Sequence, residues 1–208
     1  CDARGAANQA SLQRQQAKIV AAINASGADV VSLEEIENSV KFAKDRDAAL
    51  STLVDALNAA AADTWAFVPS PAVVPAQEDV IRTAFIYRKA AAVPVGGSTI
   101  FDDAAFTGLA RQPLAQAFKP VGGGKDSVFL AIVNHFKSKG SAATPEDTDK
   151  GQGASNLART AQAKALVGFA DSMKSSAKTD KVFLPGDFNA YRYEDPMLVL
   201  AQAGYIEQ

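Results

Sequence analysis

Residues 182–190 read VFLPGDFNA, an apolar run that changes at once into glycine, carboxylate and amide. Val182 to Leu184 predict a short strand, and Gly186 allows a turn that other residues rarely adopt. Asp187 and Asn189 are two residues apart, so their side chains can project to the same side. A carboxylate beside an amide can orient a water molecule and hold a phosphate oxygen; the alternative is a structural Asp–Asn turn.

A second apolar strand, at 129–133, is followed by the polar stretch NHFKSKG. This stretch contains the only histidine of the chain, His135, and two lysines, Lys137 and Lys139. An imidazole in this position can donate a proton to a phosphate oxygen or stabilise a developing negative charge, with lysines and backbone N–H groups nearby. The alternative is a histidine that caps a strand, followed by two solvated lysines.

A third cluster is acidic, in the segment VVSLEEIEN at 30–38. Two-residue alternation predicts Val31, Leu33 and Glu35 on one face of a strand and Glu34 on the other. A carboxylate at the end of a buried strand is a good ligand for a hard cation, because Mg²⁺ takes one or two carboxylates and keeps several waters. The cluster is therefore a candidate metal site; a solvated acidic turn is the alternative.

Helix-like and strand-like segments alternate along the chain. Helical spacing of apolar residues predicts helices at 12–23, 45–62, 156–173 and 195–203. β-rich composition predicts strands at 29–33, 80–87, 113–118, 128–133 and 182–184. Glycine, proline and small polar residues predict loops at 69–77, 96–108, 122–126 and 140–153. We expect the last, a long loop, to be mobile and to border a cleft; a surface loop without a role is the alternative.

The composition is that of an ordinary globular protein. Hydrophobic residues make up 48% and charged residues 21% of 208 residues, enough for one domain with a sizeable core. No apolar run approaches the ~20 residues that span a bilayer. A net charge of −2 excludes a strongly basic protein that coats nucleic acid, but not an enzyme that binds phosphates locally. One Cys and one His exclude a Cys/His zinc site and an internal disulfide.

In this order and spacing, LEEIEN, NHFKSKG and LPGDFNA resemble the endonuclease/exonuclease/phosphatase family, above all its branch of secreted bacterial nucleases related to pancreatic-type deoxyribonucleases. Residues 79–88 and 111–118 agree, and the resemblance extends from about Arg4 to Tyr205. It implies an α/β fold, the four-layer α/β sandwich in which two packed mixed sheets have helices outside. We expect residues 1–208 to form a single domain of this kind that is only partly complete.

The resemblance also implies roles for single residues. Glu35 matches the carboxylate that binds the divalent metal, and His135 the catalytic histidine near the scissile phosphate. Asp187 matches the residue that orients or deprotonates the nucleophile, and Asn189 the amide that binds phosphate. Arg111 falls where relatives place an arginine that contacts the substrate. The implied reaction is hydrolysis of a phosphodiester by a metal-activated water.

DNA or RNA is the implied substrate and Mg²⁺ the implied cofactor, with Mn²⁺ or Ca²⁺ as alternatives. Lys137 and Lys139 are expected to bind the substrate. The family branch implies a secreted or cell-surface protein. Cys1 is consistent with export if it pairs with an upstream cysteine, and an unpaired terminal thiol is the alternative.

The pattern departs from the family at both ends. Relatives begin with a strand that carries an asparagine, near FNV or FNI, and nothing similar precedes Arg4. They finish with a Ser-Asp-His motif, and this chain has no second histidine before Gln208. We therefore expect an incomplete piece of a longer enzyme, a poor catalyst alone, whose sheets are completed by missing segments or by a partner chain.

Two other functions stay open from the sequence. The same scaffold also suits a phosphomonoesterase or a lipid phosphodiesterase. A lipid enzyme should expose an apolar hairpin, however, and the loop PSPAVVPAQ at 69–77 is only mildly apolar. A non-catalytic binding module is the third reading, and the three matched catalytic positions argue against it.

Overall fold

The computed structural model describes residues 5–61 and 64–208, so Cys1 lies outside the described residues. Short 3₁₀ turns lie at Ser39–Phe42 and Lys125–Ser127. The helices and strands follow in the order α1 (Gln9–Ala25), β1 (Val30–Glu37), α2 (Ala48–Ala61), β2 (Trp65–Phe67), β3 (Ile81–Arg88), β4 (Ala92–Ile100), β5 (Arg111–Pro120), β6 (Phe129–His135), α3 (Asn156–Ala177), β7 (Val182–Phe183), β8 (Gly186–Asp187) and α4 (Asp195–Gln202).

The described strands form two sheets. The first has the order β1-β3-β2 with antiparallel pairing throughout. The second has the order β4-β5-β6-β7, and β8 also pairs with β6. In this second sheet β4, β5 and β6 are antiparallel to one another, whereas β7 and β8 run parallel to β6. The second sheet is therefore mixed, as the resemblance implies, whereas the first sheet, among the described strands, is antiparallel and not, as expected, mixed.

Alternating apolar side chains decide which layers pack together. On β3, Phe85 faces the second sheet, while Ala84 and Ile86 pack under α1 and α2. On β6, Val133 faces the first sheet, while Ile132 packs under α3 and α4. The layers are therefore helices, sheet, sheet and helices, which confirms the predicted four-layer α/β sandwich. Among the described residues, no helix has both the length and the apolar character needed to cross a membrane.

One predicted loop is wrong in its first part. The segment 96–108 begins inside β4, an edge strand that the sequence pattern did not predict because of Pro94 and the pair Gly96-Gly97. Proline is tolerated on an edge strand, where its missing N–H is not needed by a second neighbour. The pairing with β5 shifts register between Val95 and Thr99, so the glycines lie in an irregular stretch that interrupts the ladder.

Candidate active site

The pairing of β6 with β8 brings the histidine and the aspartate together. His135 is the register partner of Asp187, and its Nε2 lies 3.8 Å from the Asp187 Oδ2. Gly186, with φ +133°, pairs with Asn134 one position earlier. A Cβ on Gly186 would lie 2.1 Å from the Asn134 carbonyl oxygen, so only glycine permits this close approach.

Asn189 holds the Asp187 carboxylate in place. Its backbone N–H donates to Asp187 Oδ1 at 2.8 Å, and its side-chain Nδ2 donates to Asp187 Oδ2 at 3.3 Å. The same Nδ2 donates to the Phe136 carbonyl at 3.1 Å. Both N–H bonds of the amide therefore have protein acceptors. Phosphate binding by Asn189 stays a prediction, and it requires the replacement of one of these bonds.

Glu35 reaches the site through a β-bulge. The register between β1 and β3 shifts between Leu33 and Ile36, so Glu34 and Glu35 together oppose the single residue Thr83. The predicted alternation is wrong here, because Ile36 and not Glu35 joins Leu33 in the core under the helices. Glu35 takes a left-handed backbone conformation with φ 59°. The bulge re-aims this side chain toward the second sheet.

The Glu35 carboxylate meets the imidazole across the gap between the sheets. Its Oε1 lies 4.0 Å from His135 Nε2, and the Glu35 side chain is 71% exposed. The imidazole itself is only 3% exposed. The two predicted acidic residues, Glu35 and Asp187, therefore approach the same nitrogen from different sheets, with Glu35 open to solvent.

Burial keeps the imidazole neutral. It is the main cause that lowers the pKa of His135 to about 4, and the charge of Arg111 adds to this effect. The charges of Asp187, Glu35 and Asp79 act in the opposite direction without reversing the shift. Among the described residues, Nδ1 of the ring has no hydrogen-bond partner. A neutral ring at pH 7 carries one N–H bond that can be donated to a substrate oxygen.

Arg111 lies beside the histidine. It is the register partner of His135 on β5 and is buried. Its guanidinium lies 3.8 Å from the Asp79 carboxylate and 3.5 Å from the Phe136 carbonyl oxygen. The charge is thus fixed beside the imidazole. Contact with a substrate stays a prediction for Arg111.

Two acidic residues to which the sequence pattern gave no role in the site, Glu34 and Asp79, also lie close to its charged groups. Burial is the main cause that raises the pKa of Glu34, and the charges of Asp187 and Glu35 raise it further. Among the described residues, Glu34 Oε1 is buried without a hydrogen-bond partner. Asp79, which lies just before β3, pairs with Arg111. The doubled glutamate was the available signal for Glu34, but alternation alone assigns it to the opposite face.

Glu35 and Glu34 offer oxygen donors of the kind that a hydrated Mg²⁺ ion takes. Within residues 5–61 and 64–208, no three His, Cys, Asp or Glu side chains have the arrangement of a metal centre. Glu35 offers an exposed carboxylate, and the buried Glu34 Oε1 beside it lacks a partner. Mg²⁺ usually takes one or two carboxylates and keeps several waters. Glu35, with Glu34 next to it, would hold such an ion.

The two lysines after β6 are bound to other residues. Lys137 Nζ donates to Ser141 Oγ at 3.3 Å. Lys139 Nζ donates to Glu194 Oε1 at 2.6 Å and lies 4.3 Å from the centre of the Tyr191 ring. Substrate binding by either lysine stays a prediction.

The long loop 140–153 is tied to the segment that follows β6. The guanidinium of the fully buried Arg159, on α3, donates to the carbonyls of Lys137, Gln152 and Ala154 at 3.2, 3.0 and 2.7 Å. One side chain thus joins both ends of the loop. The predicted mobility of the loop stays a prediction.

Solved structures with a similar fold are known. The catalytic domain of human Nocturnin, solved with a bound sulfate, matches with a TM-score of 0.61 at 18% identity, over 92% of this chain and 62% of that one. An endonuclease/exonuclease/phosphatase family protein from Bacteroides thetaiotaomicron matches with a TM-score of 0.61 at 15% identity, over 95% and 65%. The chain has the endonuclease/exonuclease/phosphatase fold.

A third solved structure with this fold is the mannosyl-6-phosphatase of Bacteroides thetaiotaomicron. It matches with a TM-score of 0.56 at 14% identity, over 95% of this chain and 67% of that one. Against the first two structures, this chain spans 62% and 65% of their length. No model of a protein family matches the chain, and neither does any curated protein.

Proposed function

We propose that this chain is part of a metal-dependent phosphodiesterase that hydrolyses nucleic acid by an activated water. The observation that carries the proposal is the convergence of Glu35, His135 and Asp187. His135 Nε2 lies 4.0 Å from the first carboxylate and 3.8 Å from the second. Two carboxylates within 4.0 Å of a neutral imidazole can supply, with it, the proton transfer and the cation binding that assist hydrolysis of a phosphate ester.

In the proposed mechanism Asp187, held by two bonds from Asn189, orients the attacking water and accepts its proton. His135 is neutral at pH 7 and donates an N–H bond to a non-bridging phosphate oxygen, which stabilises the charge that develops there. Arg111 adds a fixed positive charge beside the imidazole. Glu35 would hold the divalent cation, which would supply Lewis-acid polarisation of the phosphate.

Nucleic acid as the substrate class rests on the resemblance of the three motifs to those of secreted nucleases. Lys137 and Lys139 add positive charge on the segment that follows the histidine. DNA and RNA are both within the proposal. On the same resemblance we propose export to the cell surface or beyond.

The proposal is tested with the full-length enzyme of which this chain is part, because the chain alone is expected to be a poor catalyst. Plasmid DNA and an RNA transcript are incubated with Mg²⁺ and with EDTA. We expect cleavage that EDTA abolishes. Asp187→Asn and His135→Gln should each lower the rate by about 10²- to 10⁴-fold, because each removes a group that acts on a proton or on the developing charge. Asp55→Asn, the same chemical change on the exposed side of α2, is the matched control. Cleavage that persists in EDTA or in Asp187→Asn would contradict the proposal.

A phosphomonoesterase is the second candidate, and the similarity of fold to a mannosyl-6-phosphatase favours it. The two candidates differ in the charge and size of the ester that they accept. A phosphodiesterase should hydrolyse bis(p-nitrophenyl) phosphate faster than p-nitrophenyl phosphate. The opposite order, together with intact nucleic acid, would support the monoesterase.

A further inference from the structure

Two tyrosines on the segment after Asn189 are unusually exposed. Tyr191 is 77% exposed and Tyr193 79%, whereas Phe118 and Phe136 are fully buried. An exposed aromatic ring is a large apolar surface with a π face, which makes it suited to a ligand that is flat and apolar on one side.

The Tyr191 ring is held rather than loose. The Tyr191 N–H donates to Glu194 Oε2 at 3.1 Å, and the Glu194 N–H donates back to the Tyr191 carbonyl at 2.9 Å. The other oxygen of the same carboxylate accepts from Lys139 Nζ at 2.6 Å. This ammonium lies 4.3 Å from the centre of the ring. One glutamate therefore fixes both the backbone of the tyrosine and the cation against its ring.

This arrangement lies where the chain leaves the candidate active site. Tyr191 follows Asn189 by two residues, so their Cα atoms are no more than about 7 Å apart. Lys139 follows His135 by four residues on the other segment that leaves the site. A phosphate bound by the catalytic residues would therefore bring a neighbouring nucleotide within reach of the ring.

We propose that Tyr191, backed by Lys139, is a stacking subsite for an unpaired base next to the scissile phosphate. The inference rests on the proposed function, because it takes the substrate to be a nucleic acid. Stacking suits any base, since each has a π face, and it requires that face to be free. Inside a duplex both faces are covered by neighbouring pairs. The subsite thus selects single-stranded DNA or RNA over duplex.

The test measures binding, so it does not depend on cleavage. A fluorescent single-stranded oligonucleotide is titrated with the protein in EDTA, beside an oligomer of the same length whose sugars carry no bases. Tyr191→Ala should weaken binding of the natural strand about 10-fold and leave binding of the baseless strand unchanged. Tyr191→Phe keeps the ring and should bind within about 2-fold of wild type.

Tyr193→Ala is the matched control, because this ring is equally exposed but faces Arg192, at 5.6 Å, rather than Lys139. It should bind the natural strand as wild type does. An equal loss in Tyr193→Ala, or an equal loss on the baseless strand, would overturn the subsite; the latter result would point to contact with the sugar.

Three further outcomes separate the subsite from the proposed function. Duplex that binds as tightly as single strand, and depends equally on Tyr191, would overturn the selection of unpaired bases. Failure of the wild type to bind any single strand would overturn the subsite altogether. Base-dependent binding without cleavage in Mg²⁺ would support the subsite and contradict the phosphodiesterase. Thermal unfolding confirms that each variant is folded, and the exposure of Tyr191 predicts an unchanged Tm.

Discussion

Two residues of the candidate active site have a backbone conformation that is unfavourable for them. Glu35 has φ 59° and Asn189 has φ 48°, both in the left-handed region. For a residue with a Cβ this conformation costs about 1–2 kcal/mol, and asparagine tolerates it better than glutamate does. At Glu35 the strained residue is also the one that the bulge turns toward His135. The bulge therefore both places the carboxylate near His135 and strains the backbone of Glu35.

In a strand an alanine variant is ordinarily more stable than a glycine variant, and the strain at Glu35 should invert this order. Glu35→Gly should be more stable than Glu35→Ala by about 1 kcal/mol, because both lack the carboxylate and only glycine relieves the left-handed conformation. Urea denaturation of the two variants measures the difference. The matched pair at Glu37, on the same strand with ordinary φ, should show alanine more stable than glycine. The ordinary order at both positions would contradict the strain.

The lowered pKa of His135 should make the free energy of unfolding depend on pH. Its pKa is about 4 in the folded protein and near 6.5 in the unfolded chain. Between these values only the unfolded chain binds the proton, so the free energy of unfolding rises with pH, by about 3 kcal/mol in all, and levels off above 6.5. Urea denaturation at pH 5 and pH 7, in EDTA, measures this contribution as the difference in slope between the wild type and His135→Gln.

The same shift can be read directly, because the chain has one histidine. A single C2–H resonance should titrate near pH 4 in the folded protein and near pH 6.5 in urea. A folded-state midpoint at or above 6.5 would mean that the imidazole is not buried as described.

At the scale of elements, His135 and Asp187 lie where strands end, as the sequence predicts, whereas Glu35 lies inside β1, which continues to Glu37. The apolar runs before Asp187, His135 and Glu35 mark three strands whose ends carry polar side chains. The bulge was not predictable from alternation, because a single added residue reverses the face of everything after it. Neither was the pairing of β8 with β6, since a two-residue strand has too short a pattern to read. Motif resemblance, not periodicity, selected Glu35.

The contact between β6 and β8 makes Gly186 essential. Gly186→Ala places a Cβ 2.1 Å from the Asn134 carbonyl oxygen, so β8 must move away from β6 and carry Asp187 away from His135. We expect destabilisation of about 2–4 kcal/mol and loss of most activity. Gly168→Ala on α3, where a Cβ meets no atom within 4 Å, is the control and should be neutral or stabilising. Equal effects of the two substitutions would contradict the steric account.

At the scale of the whole molecule, neither sheet alone supplies all the residues of the site. Glu35 comes from the first sheet, and His135 and Asp187 come from the second. Their separation is therefore set by how the sheets pack, through a core in which the rings of Phe85 and Phe118 meet edge to face at 5.6 Å. The resemblance predicted this sandwich, whereas composition and the order of elements fitted several α/β folds equally well.

A cation that binds Glu35 beside the second sheet should stabilise the folded protein, because the unfolded chain has no such site. Mg²⁺ at 100 times its Kd should add about 2.7 kcal/mol to the free energy of unfolding and raise the Tm by roughly 5–10 °C. EDTA should reverse the shift and Glu35→Gln should abolish it, while Asp55→Asn, a carboxylate-to-amide change on α2, should leave it intact. A shift that survives in Glu35→Gln would assign the cation to Glu34, whose buried Oε1 lacks a partner among the described residues. The absence of any shift in the wild type would contradict a metal site between the sheets.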